Sequence, residues 1–182
     1  YFARRIRRQV WTNPPIKATD RVIDMLLKKI NNEEFKTELP IPPSEFVPIA
    51  PAISIDELKN MEVAIVTSGG IVPVGNPDRI QSASATKWGK YDVSELNDLL
   101  PGEYMTIHAG FDPAAANADP DVIVPLDALR EYQKEGRIKG VYKYIYSTVG
   151  TGTTQAEASR MGREIADELL AAGVKAVILT ST

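Results

Sequence analysis

The sequence contains no cysteine and only one histidine among its 182 residues. The lack of cysteine excludes disulfide bonds, thiolate metal ligands and a cysteine nucleophile within these residues. Zinc ions in proteins are held mainly by cysteine and histidine side chains, so one histidine argues against a zinc site made by this chain alone. We therefore predict that the chain holds no metal.

No stretch approaches the roughly 18 consecutive apolar residues of a membrane-spanning helix, and no signal peptide is visible. The net charge is −3, which argues against a nucleic-acid-binding protein even though residues 4–8 form a basic cluster. With 43% hydrophobic and 25% charged residues, the composition is that of an ordinary globular domain. The sequence predicts a cytoplasmic protein that binds neither a membrane nor nucleic acid.

From residue 62 onward, strand-like and helix-like segments alternate. Runs of β-branched and aromatic residues predict strands, and apolar residues at three- and four-residue spacing predict helices. This alternation is typical of a parallel sheet with helices on both faces. We predict an α/β fold with a mostly parallel, open, doubly wound sheet in three layers, with strands near residues 62–67, 104–107, 141–147 and 174–179 and helices near residues 92–100, 125–136 and 154–172.

The first sixty residues are less regular. Apolar residues repeat at helical spacing over residues 19–30 and predict a helix there. Residues 35–54 contain several prolines, which exclude a regular helix or a central strand, so we predict an extended segment along the surface. We expect residues 1–182 to form a single α/β domain.

The end of the chain, residues 141–182, reads as strand, glycine-rich loop, helix and strand. The apolar run that follows Lys175 is typical of a central parallel strand covered on both faces. Thr180, Ser181 and Thr182 follow this strand, at the edge where open parallel sheets bind their ligands. Because no helix follows to cover the sheet, we expect a C-terminally truncated sheet, in which this chain is the N-terminal part of a longer subunit.

The loop at residues 148–153 leaves one predicted strand and enters a helix. It lacks the third glycine of a dinucleotide-binding fingerprint, where Gln155 stands instead, and it has no phosphate-binding lysine. Its amides and hydroxyls at a helix N-terminus could bind a carboxylate or phosphate, while the alternative is a loop that serves only a tight turn. The residues predicted to bind substrate or an anion at this edge are Gly69, Gly70, Gly150, Thr151, Gly152, Thr153, Thr180, Ser181 and Thr182.

His108 follows the predicted strand at residues 104–107, with Asp112 close behind it. A histidine held by a carboxylate can act as an acid or base near neutral pH. We predict His108 and Asp112 as catalytic residues, against the alternative that His108 only hydrogen-bonds its own loop. We also expect the loops at residues 68–70, 108–112, 148–153 and 180–182 to converge.

Residues 1–11, 86–92, 108–112 and 176–182 are together similar to one protein family. The arginine-rich start and the closing Leu-Thr-Ser-Thr are specific to it. This family is the selenoprotein subunit of component B of the glycine, sarcosine and betaine reductases, with a more distant likeness to the selenoprotein subunit of D-proline reductase. The resemblance covers the whole chain.

The resemblance implies an oxidoreductase subunit that cleaves the C–N bond of its substrate reductively, forming acetyl phosphate and ammonia or an amine. It implies no cofactor within this chain, a selenocysteine directly after Thr182, and a pyruvoyl-type carbonyl on a partner subunit. The implied partners are the other component B subunit, selenoprotein component A, component C and the thioredoxin system. A UGA codon taken as a stop would explain a truncated, inactive fragment.

Two other functions remain open on the residues alone. The chain could be a stand-alone module that binds an anion or nucleotide through the Gly150 loop, or a noncatalytic structural subunit. We also expect a truncated sheet to expose apolar surface, and we therefore predict self-association.

Overall fold

The computed structural model describes residues 12–38 and 54–182. These ranges belong to two compact units, which divide between residues 50 and 51. The basic cluster at residues 4–8 and most of the proline-rich segment lie outside the described residues. The single domain over residues 1–182 stays a prediction.

In the first unit, helix α1 spans Ala18–Ile30, as predicted. The Arg21 guanidinium forms an ion pair with Glu38 at 2.8 Å, which ties the helix to the chain that follows it. The apolar face of α1 is exposed, with side chains between 53% and 65% accessible, in a row formed by Val22, Ile23, Leu26, Leu27 and Ile30.

The second unit contains the remaining elements. The helices are α2 (Ile55–Leu58), α3 (Ala114–Ala118), α4 (Leu126–Lys134) and α5 (Gln155–Ala171), with a 3-10 turn at Pro120–Val122. The strands are β1 (Glu62–Thr67), β2 (Ile71–Pro73), β3 (Gly89–Asp92), β4 (Tyr104–Thr106), β5 (Gly140–Ser147) and β6 (Ala176–Thr180).

The main sheet has four strands in the order β3-β5-β1-β6. Strand β1 pairs in parallel with β5 on one side and with β6 on the other. At the carboxyl end of the sheet, Thr67 lies opposite both Ser147 and Thr180. Strand β3 pairs antiparallel with β5. The α/β class and the mostly parallel open sheet are therefore confirmed.

The sheet is covered on both faces, as its apolar strands require. Val63 and Ile65 of β1 belong to a core shared with α4 and the pair β2–β4. Ala64, between them, faces the opposite way and packs with Ile165 and Leu169 of α5. This alternation follows from the two-residue repeat of a strand and gives three layers.

Helix α5 begins and ends where its sequence predicts. The Thr154 hydroxyl accepts a hydrogen bond from the amide of Glu157 at 3.2 Å. The Glu157 carboxylate bonds to Arg160, so a side chain one turn on takes the place of the return bond of a capping box. Gly173 has φ +77°, a left-handed conformation that ends the helix.

The predicted place of the strand near residue 104 in the parallel sheet is wrong. Strand β4 instead pairs antiparallel with β2 in a separate sheet of two strands. Strand β3, at residues predicted only as a polar stretch, takes an edge of the main sheet. Its exposed Lys90 and Asp92 alternate with buried Gly89 and Tyr91, which suits an edge strand with one face in solvent.

The predicted helix over residues 92–100 is also wrong. The Asp92 carboxylate accepts hydrogen bonds from the amide and hydroxyl of Ser94, at 2.8 and 2.6 Å, which favours a turn over a helix. The Arg130 guanidinium then donates to the carbonyls of Val93 and Leu96. Carbonyls bound in this way have partners outside a helical ladder.

Replacing Gly162 with alanine should stabilise the protein. Gly162 lies in the middle of α5, and a Cβ built there has no other atom within 4 Å. Alanine should add about 1 kcal/mol to the free energy of unfolding, or roughly 2–4 °C in Tm. Thermal unfolding followed by circular dichroism measures this change.

Gly69→Ala is the matched control. A Cβ on Gly69 would lie 2.5 Å from Cγ2 of Ile123, so this change should lower Tm. An unchanged or lower Tm for Gly162→Ala would contradict the prediction.

Candidate functional site

The loops that follow the three parallel strands meet at one edge of the sheet. The amide of Gly70 donates to the carbonyl of Thr148, and that of Gly150 donates to the carbonyl of Ser68, both at 2.9 Å. The amide of Ser68 also donates to the carbonyl of Thr180 at 3.0 Å. The Ser68–Gly70 loop therefore lies between the other two, because β1 lies between β5 and β6.

A groove of about 380 Å³ opens beside these loops, between α5 and the carboxyl ends of β1 and β6. One side is apolar and includes Met161, Ile165 and Leu179. The lining residues that bear hydroxyls are Thr67, Ser68, Thr148, Thr153, Thr180 and Ser181. Mostly apolar walls with a few polar groups are typical of small-molecule sites.

The glycines of the Ser68–Gly70 loop serve packing and conformation. Gly69 has no room for a Cβ beside Ile123. Gly70 has φ +69°, and a Cβ there would lie 2.9 Å from the Val149 side chain and 3.1 Å from the His108 amide nitrogen. These contacts leave no space for a ligand at either Cα, so close approach of a substrate does not explain these glycines.

The loop at residues 148–153 uses much of its own hydrogen-bonding capacity within the chain. The amides of Gly150 and Thr153 donate to carbonyls, and the Thr153 hydroxyl donates to Val149 and accepts from Ala85. The carbonyl of Thr151 accepts from the Ser84 amide. Gly152 has φ +66°. These observations favour a structural turn for much of this loop.

Three hydroxyls form a row across the carboxyl ends of the parallel strands. Thr67 lies in register with Ser147 and Thr180, and its oxygen accepts from the Gly69 amide at 3.0 Å. The hydroxyl oxygens of Ser147 and Thr180 are buried and have no hydrogen-bond partner among the described residues. Buried hydroxyls without partners are uncommon, so this row has capacity to bind water or a ligand.

Thr106 is a residue of this region that the sequence analysis missed. Its buried hydroxyl donates to the carbonyl of Gly69 at 2.9 Å and accepts from the amide of His108 at 3.1 Å. Its own amide donates to the Asn117 side chain. Thr106 therefore connects the Ser68–Gly70 loop with the His108 loop. Its place as the last residue of a strand is the only signal in the sequence.

His108 is buried, and its imidazole bonds within its own loop. Nδ1 accepts a hydrogen bond from the amide of Gly110 at 3.1 Å, which places the proton of a neutral ring on Nε2. The ring lies 5.1 Å from that of Phe111. Burial lowers the pKa of His108 below its ordinary value. The imidazole is therefore neutral at pH 7.

Asp112 does not hold His108 in the way that the sequence suggested. Its carboxylate is exposed and accepts a hydrogen bond from the amide of Ala114 at 3.0 Å. This bond stabilises the start of α3. The histidine and the carboxylate thus each have a backbone partner of their own.

Among residues 12–38 and 54–182, no group of His, Cys, Asp and Glu side chains is arranged to hold a metal ion. In the same ranges, no helix has the length and apolar character needed to cross a membrane.

The fold and the groove together define an α/β domain with a candidate small-molecule site at the carboxyl edge of a parallel sheet. The model of one protein family matches residues 1–182, and it describes the glycine/sarcosine/betaine reductase selenoprotein B family. The chain belongs to this family. No solved structure matches it.

Curated relatives support the same assignment. The chain is 62% identical, over all its 182 residues, to the betaine reductase complex component B subunit beta of Peptoclostridium acidaminophilum. It is 48% identical over the same length to the glycine reductase complex component B subunit gamma of Carboxydothermus hydrogenoformans. The chain spans 41% of the length of each of these two relatives.

A more distant relative is the D-proline reductase subunit gamma of Acetoanaerobium sticklandii. It is 32% identical over 142 residues, which are 77% of this chain and 54% of the relative. Both the near and the distant likeness predicted from sequence motifs are therefore confirmed.

The pKa of His108 should be measurable directly, because it is the one histidine of the sequence. Proton NMR of the imidazole should give a titration midpoint below about 6.5, the ordinary value. Since the folded state disfavours the charged ring, the stabilisation by neutral His108 is present above that pH and is lost as pH falls toward the lowered pKa.

His108→Gln should flatten the dependence of stability on pH in this range. A midpoint at or above 6.5 would contradict the buried, neutral imidazole.

Proposed function

We propose that this chain is part of the component B selenoprotein subunit of a glycine, sarcosine or betaine reductase complex. The family match over residues 1–182 is the observation that carries this proposal. The reaction is a reductive cleavage of the C–N bond of a small amino acid or its N-methylated derivative. Its products are acetyl phosphate and ammonia or an amine.

The site of this proposal is the groove beside the carboxyl ends of β1 and β6. Met161, Ile165 and Leu179 would exclude water from one side of the substrate, which strengthens polar contacts on the other side. Ser68 and Ser181 supply hydroxyls at the opposite wall. Hydroxyls can donate hydrogen bonds to a substrate carboxylate without bringing a charge into the groove.

The proposed redox residue is a selenocysteine that directly follows Thr182. Residues 180–182 adjoin the groove and the Ser68–Gly70 loop, as shown by the Ser68–Thr180 backbone bond and by Thr182 beside Gly69. This position fits a residue that reacts at the carboxyl edge. Selenocysteine would supply the nucleophile, while the residues described above bind and orient the substrate.

The proposed partners are the other component B subunit with its pyruvoyl-type carbonyl, selenoprotein component A, component C and the thioredoxin system. We propose that the complex works in the cytoplasm. Family membership supports these partners in general, since the named relatives are subunits of multi-component complexes.

His108 and Asp112 have different support as catalytic residues. A neutral imidazole cannot supply the positive charge that would stabilise an anionic nucleophile. The remaining role for His108 is donation from Nε2, at a loop that Thr106 ties to Gly69. Asp112 is occupied at the start of α3, so its part in the proposal is to position that helix.

The anion-binding module is the weaker alternative, because the Gly150 and Thr153 amides already have partners. A noncatalytic subunit would lack a reactive residue after Thr182. The nucleotide sequence downstream of the Thr182 codon distinguishes these cases: UGA followed by an open frame that encodes cysteine favours the reductase subunit.

Filling the groove should abolish most of the activity of the assembled complex. Ala158 is exposed and lines the groove, so Ala158→Phe places a ring in it without disturbing the core. Misplacement of a substrate by about 1 Å can cost about 100-fold in rate. We expect a fall of that order in kcat/KM, measured as amine or ammonia release from glycine, sarcosine and betaine.

Ala171→Phe is the matched control, since Ala171 is exposed on the same helix but lies outside the groove lining. The control should keep the native rate. Equal rates in both variants would exclude this groove as the substrate site. Absence of turnover on all three substrates in the native complex would instead contradict the proposed function.

A further inference from the structure

Strand β6 has an open edge in the main sheet. It lies at the end of the strand order and pairs only with β1 among the described strands. Two of its side chains are unusually exposed for apolar residues, Val177 at 42% and Leu179 at 78%. An apolar edge strand without a charge is a template for pairing with another strand.

The backbone of β6 shows which of its groups face outward. The Thr180 carbonyl accepts from Ser68, which follows β1, so Thr180 directs its backbone groups inward. Successive residues of a strand alternate in this direction. Ala176, Ile178 and Thr180 therefore bond toward β1, while Val177 and Leu179 present their N–H and C=O groups at the open edge.

We propose that β6 pairs with β6 of a second copy of this chain. The two strands run antiparallel about a two-fold axis at Ile178, so that Val177 of each copy lies opposite Leu179 of the other. Both of these residues point their backbone groups outward, and each pair exchanges two N–H···O bonds. The two four-stranded sheets join into one continuous sheet.

The side chains support this register as well as the backbone does. Val177 and Leu179 lie beside α5, in an apolar groove that also includes Leu170, which is 68% exposed. In the antiparallel register these side chains meet their equivalents from the second copy and are removed from water. The contact is isologous, so it closes at two copies.

Charge also favours a second copy over an unrelated strand. Strand β6 itself carries no charge, and the nearest charged residue is Lys175, just before it. In the proposed register, Lys175 of one copy lies next to Ser181 of the other, so the two lysines stand at opposite ends of the pair. No like charges are brought together along the strands.

The test is the oligomeric state of the chain and of Leu179→Pro, measured by sedimentation equilibrium. Proline at 179 removes an outward N–H but no bond to β1, and proline is tolerated on edge strands. We expect a dimer for the native chain and a dissociation constant at least about tenfold higher for the variant. Leu179→Thr is the control that removes the apolar side chain and keeps the N–H, and it should dissociate less.

Hydrogen exchange of the native chain provides a second measurement, which stands even if the proline variant does not fold. The amides of Val177 and Leu179 should gain protection as the chain concentration rises. A native chain that is monomeric at all concentrations would overturn the proposal. So would a dimer that leaves these two amides unprotected or that Leu179→Pro does not weaken.

Discussion

The parallel pairing of β1 with both β5 and β6 is the constraint on which the rest of the structure depends. Because all three strands end at the same edge, the loops that leave them must share the space beyond it. The Ser68–Gly70 loop follows the central strand and therefore bonds to the Thr148 carbonyl on one side and to Thr180 on the other. The groove at this edge is a consequence of strand order, and no residue within it would create it in another topology.

The position of α5 over the sheet is fixed by polar contacts as well as by its buried face. The Glu168 carboxylate accepts from the Lys90 ammonium at 2.7 Å and from the Tyr146 hydroxyl at 3.2 Å. Burial raises the pKa of Tyr146, so its hydroxyl stays protonated and donates. Trp88 donates to Glu164 in a similar way. Partly exposed ion pairs add little stability, so their main effect is to set where α5 lies.

The sequence predicted those elements whose partners follow from their own pattern. β1, β5, α5 and β6 form one buried unit with clear periodicity and capping residues, and the carboxyl-edge rule correctly brought their loops together. The strand at Tyr104–Thr106 has an equally clear pattern, but a two-residue repeat does not specify a neighbour. The segment after Asp92 depends on Arg130, which is distant in sequence. The Thr106 hydroxyl likewise acts on Gly69 and His108, partners that no local pattern reveals.

The two sides of the candidate site differ in the space that they offer. On one side, Gly69 packs against Ile123 so closely that a Cβ would collide. Asp121, two residues earlier, is buried and accepts from the amides of Leu99 and Asp127, and burial raises its pKa to about 6. On the α5 side, a Cβ on Gly162 would meet nothing within 4 Å. A ligand therefore reaches the strand ends from the α5 side, and discrimination among ligands falls to the residues of that wall.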